Sequence, residues 1–236
     1  MNNLPQQHRA LHRWVTRLLG PLLLATSSCV GFQPANVPLE RHDPDHGYRG
    51  DQVERGNKII IYLAFSGGGT RAAAFAYGVL EELRDTKITV DEQEKTLLDE
   101  VDTISGVSGG SFPAAYYGLF GDRIFEDFEE RFLRKNVQAA LFLRILRPWN
   151  LIRLATPWLS RSAIASRYYD EKVFDGATYA DLQVANGPRI HINATDLSSG
   201  NRITFNQNGF DVICSDLNQL HVSTAVAASS AVPILL

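Results

Sequence analysis

The sequence predicts an α/β domain built on a mainly parallel sheet, and two stretches carry that prediction. Ile59-Ile60-Ile61-Tyr62-Leu63-Ala64-Phe65 is an apolar run without alternation. Such a run suits a strand buried on both faces. Ser66-Gly67-Gly68-Gly69-Thr70-Arg71 follows, and then Ala72-Ala73-Ala74-Phe75-Ala76-Tyr77-Gly78-Val79-Leu80, whose alanines favour helix. The same plan returns at Val101-Asp102-Thr103-Ile104-Ser105, then Gly106-Val107-Ser108-Gly109-Gly110-Ser111, then an apolar segment from Phe112 to Leu119. Both stretches read as strand, tight glycine turn, helix.

The remaining elements follow in chain order. Residues 1–29 read as an export signal. Arg9, Arg13 and Arg17 form a positive region, and Leu18-Leu19-Gly20-Pro21-Leu22-Leu23-Leu24-Ala25 is apolar but too short to span a bilayer. Thr26-Ser27-Ser28-Cys29 resembles the lipidation site of a bacterial lipoprotein, which makes Cys29 the anchor and places the protein outside the cytoplasm on a membrane. The alternative is an ordinary secretory signal. Residues 30–57 carry Pro34, Pro38, Pro44, Gly47, Gly50 and Gly56 and read as a flexible tether. His42 and His46 lie four apart within it, but Pro44 opposes the helix that would align them on a metal, so a solvated loop is expected.

The domain is expected over 58–236. Its first helix should run over 70–84, with a short strand at Ile88-Thr89-Val90 and a charged helix over 91–100. Residues 131–169 contain Arg131, Arg134, Lys135, Arg144, Arg147, Arg153, Arg161 and Arg167 and no acidic residue, interleaved with apolar and aromatic side chains. Such a segment suits either an anionic membrane surface or a helical cap with a basic outer face. Strands are expected at Arg189-Ile190-His191-Ile192-Asn193-Ala194 and Arg202-Ile203-Thr204-Phe205, and a helix over 221–230. With only Cys29 and Cys214 no disulfide framework is expected, and Cys214 beside Val212 and Ile213 reads as a small apolar side chain. A net charge of −3 gives no reason to expect nucleic-acid binding.

Gly106-x-Ser108-x-Gly110 is the nucleophile-elbow pattern. A serine on a tight strand-to-helix turn projects its hydroxyl into open space. Glycines on either side remove the Cβ atoms that would block the turn, and the helix behind offers a positive end to a developing oxyanion. Alone the pattern is weak. Paired with a glycine triplet about 40 residues upstream it is stronger, because one turn supplies the nucleophile and the other the oxyanion donors.

Together, Ser66-Gly67-Gly68-Gly69-Thr70-Arg71 and Gly106-Val107-Ser108-Gly109-Gly110-Ser111 resemble the patatin-like phospholipases. Ala194-Thr195-Asp196-Leu197-Ser198-Ser199-Gly200 and Ala228-Ser229-Ser230-Ala231-Val232-Pro233 are similar to later blocks of that family. The resemblance implies a three-layer α/β/α fold and acyl-ester hydrolysis on phospholipids or other lipids at a membrane surface, with no metal or organic cofactor. It implies Ser108 as nucleophile, Gly67, Gly68 and Gly69 (with Gly109) as oxyanion donors, and Arg71 as a support of the glycine loop. The family's base is an aspartate in an Asp-Gly-Gly or Asp-Gly-Ala motif beyond the Ala228–Pro233 block, so it is expected beyond Leu236.

Other readings compete. Asp175-Gly176-Ala177 spells the aspartate motif but precedes that block, where a turn aspartate is the simpler reading. Ser108, Asp196 and His221 occur in the order of a hydrolase triad. Gly67-x-Gly69-x-x-Ala72 with Asp91 downstream is a passable dinucleotide fingerprint. A catalytically inactive lipoprotein that binds lipid or a partner is the remaining class.

Overall fold

The computed structural model describes residues 36–49, 59–150, 160–185 and 187–231. The export signal with Cys29, the segment 151–159 and Pro233 therefore lie outside the described residues. The central sheet has four strands in the order β2 (Ile61–Phe65), β5 (Val101–Val107), β6 (Arg189–Thr195) and β7 (Arg202–Thr204). The first three are parallel and β7 runs antiparallel to β6. This is the mainly parallel α/β sheet expected.

Helices α1 (Gly69–Asp85) and α2 (Ser111–Phe120) are the two glycine-turn helices. They pack on one another, and α2 lies on β5 and β6. Ile104, Ile190 and Ile192, which share one sheet face by register, are fully buried. Helix α3 (Ile124–Phe128) continues into a wider turn, as does α5 (Arg161–Tyr169), while α4 (Val137–Ile145) packs against α5. Beneath them Phe112 stacks on Phe132 with ring centres 4.2 Å apart and meets Tyr169 edge-on. Helix α6 (Tyr179–Val184) precedes β6. Helices α7 (Gln207–Asp211) and α8 (Val222–Ser230) follow the sheet, and α8 packs on β6, α2 and α5.

Several local expectations give way. Strand β2 is an edge strand. Its Leu63 and Phe65 face the core, but Tyr62 is 71% exposed and Ala64 is exposed, so one face of this strand is uncovered among the described residues. The charged stretch 91–100 is not one helix; only Leu98–Glu100 form a single 3-10 turn. The stretch completes a hairpin of β3 (Lys87–Val90) and β4 (Gln93–Thr96), joined by Asp91 and Glu92, both at positive φ. Two central residues at positive φ match the twist of a two-residue hairpin.

The expected tether is docked over residues 36–49. Strand β1 (Val37–Pro38) pairs with β8 (Ser215–Asp216), and the buried Tyr48 hydroxyl accepts from the Ile190 N–H at 2.6 Å. Arg49, also buried, donates to Asp211 at 2.9 Å, and His46 bonds Asp216 at 3.0 Å rather than lying in solvent. Cys214 is exposed and left-handed at the turn into β8. Three arginines of the 131–169 segment find acids just outside it: Arg131 pairs with Asp127 and Asp175, Arg134 with Glu129 and Glu130, and Arg144 with Glu171. That pattern belongs to a helical cap tied down by ion pairs. Its α4 side nevertheless exposes Phe142, Leu143 and Leu146, with Trp149 beyond.

Candidate active site

Strand β5 ends at Val107, and a tight turn of Ser108–Gly110 leads into α2. Ser108 adopts a left-handed conformation at φ 51°, costly for a residue with a side chain. The glycines make this turn possible through close approach. A Cβ on Gly110 would stand 2.6 Å from the Phe65 carbonyl oxygen, and one on Gly109 would stand 2.1 Å from that of Gly69. The glycine loop and the elbow therefore lie backbone against backbone, two links of the chain that only glycine sequence permits.

The loop itself runs Ser66 to Gly69 in the open, with Gly68 at φ 140° as the N-cap of α1 and Gly69 at φ 66°. A Cβ on Gly67 would come 3.8 Å from Ser108 Oγ. No side chain caps α1 and no acidic residue occupies its first turn. The first turn of α2 is likewise free of acids. Two helix N-termini thus meet at the half-buried Ser108, an arrangement suited to negative charge. Arg71 is exposed on the first turn of α1.

The elbow is held by hydroxyls. Ser111 Oγ donates to the Ser108 carbonyl, the Ser108 N–H donates to Ser229 Oγ at 2.8 Å, and Ser229 Oγ–H donates to the Asn193 carbonyl at 2.6 Å. The Asn193 amide nitrogen bonds Ser105 Oγ at 2.9 Å and the Gly106 carbonyl at 3.3 Å, while its oxygen accepts from Thr204 at 2.7 Å. Residue-type patterns did not single out Asn193 or Ser229. A polar side chain inside the apolar strand Ile190–Ala194 was the available signal for the former.

The rival constellations do not assemble. His221 Nδ1 bonds Asp170 at 3.1 Å, not Asp196. The Asp196 carboxylate is absorbed by Ser198 and Ser199 in its own turn, whose hydroxyls and N–H groups hold its pKa down at about 2. Asp175 accepts from Arg131 at 2.7 Å and Arg123 at 3.0 Å. Burial alone would raise its pKa, but the two guanidinium groups prevail and hold it below the ordinary value. Asp91 sits in the β3–β4 hairpin turn, not at the end of a parallel strand, which removes the dinucleotide reading. Among the described residues no carboxylate or imidazole is bonded to Ser108 Oγ.

A mainly parallel sheet with a serine elbow packed against a glycine loop defines a hydrolase-like α/β class. The chain belongs to the patatin-like phospholipase family, whose description it matches over residues 63–236. Among solved structures it resembles human GIVD cytosolic phospholipase A2, in complex with methyl γ-linolenyl fluorophosphonate, at 16% identity and a TM-score of 0.50, covering 75% of this chain and 30% of that one. It also resembles ExoU of Pseudomonas aeruginosa, in complex with SpcU, at 18% identity and a TM-score of 0.40, covering 74% and 39%. The chain thus spans well under half the length of either. Comparison with curated proteins gave no match. At these identities the structural likeness concerns the fold.

Proposed function

We propose that the protein is a lipid acyl hydrolase in which Ser108 is the nucleophile. The observation that carries this is the strained Ser108 elbow lying against the Gly67–Gly69 loop at two uncapped helix N-termini. Ser108 Oγ attacks the ester carbonyl carbon, and the carbonyl oxygen becomes an oxyanion facing the N–H groups of the glycine loop and Gly109. Collapse expels the alcohol with the serine's proton and leaves an acyl-enzyme, which water then hydrolyses. The base in this reading is the aspartate that family resemblance puts C-terminal to the Ala228–Pro233 block. Exposed Phe142, Leu143, Leu146 and Trp149 support contact with a lipid surface beside the cap.

A second reading is an inert lipid-binding member of the family, which the exposed Phe142, Leu143, Leu146 and Trp149 serve equally well. One experiment separates them. The fluorophosphonate bound by the phospholipase A2 neighbour is a serine-directed probe class, so the protein as its host produces it is treated with a lipid-like fluorophosphonate. Covalent labelling, with ester hydrolysis, that vanishes in Ser108→Ala is the expected result. Labelling that persists in Ser108→Ala sinks the nucleophile assignment. Lipid binding without labelling of the wild type establishes the inert reading.

A further inference from the structure

We propose that Ser229 is a positioning residue that sets the nucleophile elbow through the backbone of Ser108. The inference deepens the hydrolase reading and rests on Ser108 being the nucleophile. A hydroxyl carries one proton, and that of Ser229 goes to the Asn193 carbonyl at 2.6 Å. Its oxygen is then left to accept from the Ser108 N–H at 2.8 Å. The polarity of the chain is fixed: Ser108 N–H to Ser229 Oγ–H to Asn193 carbonyl. Each bond polarises the next in the same sense.

The far end of this chain is rigid. Asn193 is 6% exposed in the middle of β6, and its amide ties β5 to β7 through Ser105, Gly106 and Thr204. A strained left-handed serine persists only where its surroundings over-determine it. Here Ser111 holds the carbonyl side and Ser229 holds the N–H side.

Two consequences follow for the reaction. The Ser108 N–H is spent on Ser229, which leaves oxyanion binding to Gly109 and the glycine loop. The direction of Ser108 Oγ also depends on where α8 sits, because Ser229 is carried near the end of that helix. Helix α8 is in turn bonded to the cap: Thr224 Oγ1 lies 3.0 Å from Ser166 Oγ, and Ser223 Oγ donates to Asp170 at 2.9 Å. A shift of the cap helix α5 therefore reaches the nucleophile through one hydroxyl.

The test compares second-order fluorophosphonate labelling rates, and kcat and KM on a short-chain ester, in the host-produced protein. Ser229→Ala should label about tenfold more slowly and lose kcat by the same factor, with KM unchanged, since a half-buried N–H in a strained turn loses its partner. Ser229→Thr, which keeps the hydroxyl, should recover to within about threefold of wild type. Ser230→Ala is the matched control. It sits on the same helix, but its hydroxyl bonds the Val226 carbonyl and the Tyr169 side chain rather than the elbow backbone, so labelling should stay within about twofold. Where Ser229→Ala yields no folded protein, Ser229→Cys keeps the volume with a weak acceptor and should show the same slowing.

Wild-type labelling rates in folded Ser229→Ala or Ser229→Cys overturn the proposal. So does a Thr variant as slow as the Ala variant. Persistent labelling in Ser108→Ala instead identifies failure of the nucleophile reading itself, a separate outcome.

Discussion

Ser108 and Asp175 share a backbone conformation and nothing else. Both are non-glycine residues in the left-handed region, at φ 51° and 53°. Ser108 is held there by backbone hydrogen bonds to serine hydroxyls, which leave its own Oγ unbonded among the described residues. Asp175 ends the turn after α5, and its carboxylate is gripped by Arg123 and Arg131. Those arginines also bind Asp127, which accepts from the Tyr116 hydroxyl. One turn presents a side chain to a space lined by helix N-termini; the other consumes its side chain in tying α3 to the turn after α5. A left-handed residue marks a reactive position only when its side chain is spared from structure.

The largest effect that would break this contrast is at Gly109. A methyl there stands 2.1 Å from the Gly69 carbonyl oxygen, a backbone atom that cannot swing away. Gly109→Ala must push the glycine loop off the elbow. Labelling of Ser108 should fall by at least about a hundredfold, of the order that loss of an oxyanion donor costs. Thermal stability should fall by about 1–3 kcal/mol, as overpacking does. Labelling at the wild-type rate would mean that the loop does not supply the oxyanion donors.

An intermediate effect is expected at Asp175. Asp175→Asn keeps the shape and removes the charge from two guanidinium partners. Because the site is substantially exposed and screened by water, the cost should be only about 1 kcal/mol, with Ser108 labelling changed less than about twofold. The folded-state pKa is depressed, so this contribution is present above the ordinary value of 3.8 and is lost as pH falls through the lower folded value. Denaturant midpoints of wild type and variant should differ at pH 7 and converge at strongly acidic pH. Loss of labelling in Asp175→Asn at neutral pH would promote Asp175 to the base and reverse the comparison.

The same contrast explains what the sequence made legible. The elbow and glycine loop were readable because backbone contact at Gly109 and Gly110 admits no other residue, so the constraint is written in the letters themselves. The α1, α2, β5 and β6 spans followed from local pattern to within a residue or two. Features set by distant partners were not readable. Nothing in the run from Ile59 to Phe65 states that β2 lies at the sheet edge. Asp91-Glu92 lacks the asparagine–glycine signal of a tight hairpin, although both residues adopt that turn's positive φ. Proline and glycine around Tyr48 hid a docked strap, because its partners Ile190, Gln207 and Asp211 lie more than a hundred residues away. The basic segment seemed uncompensated because Asp127, Glu129, Glu130, Glu171 and Asp175 all lie just beyond its bounds.

The smallest effect is at His221, and it sharpens the comparison from the side of the rejected triad. The imidazole is about half exposed and bonds Asp170, which also accepts from Ser223. An exposed His–carboxylate pair contributes little, so His221→Ala should cost at most about 0.5 kcal/mol. The N-cap role of His221 is backbone-borne, with no side-chain cap bond, so α8 should keep its start. Ser229 near the other end of α8 should then stay in place, and labelling of Ser108 should remain within about twofold of wild type across neutral pH. A drop of about a hundredfold or more with stability intact would mean that His221 reaches Ser108 in the working enzyme, as only a histidine base would require. That result would restore the triad and make Asp170, not Asp196, its third member.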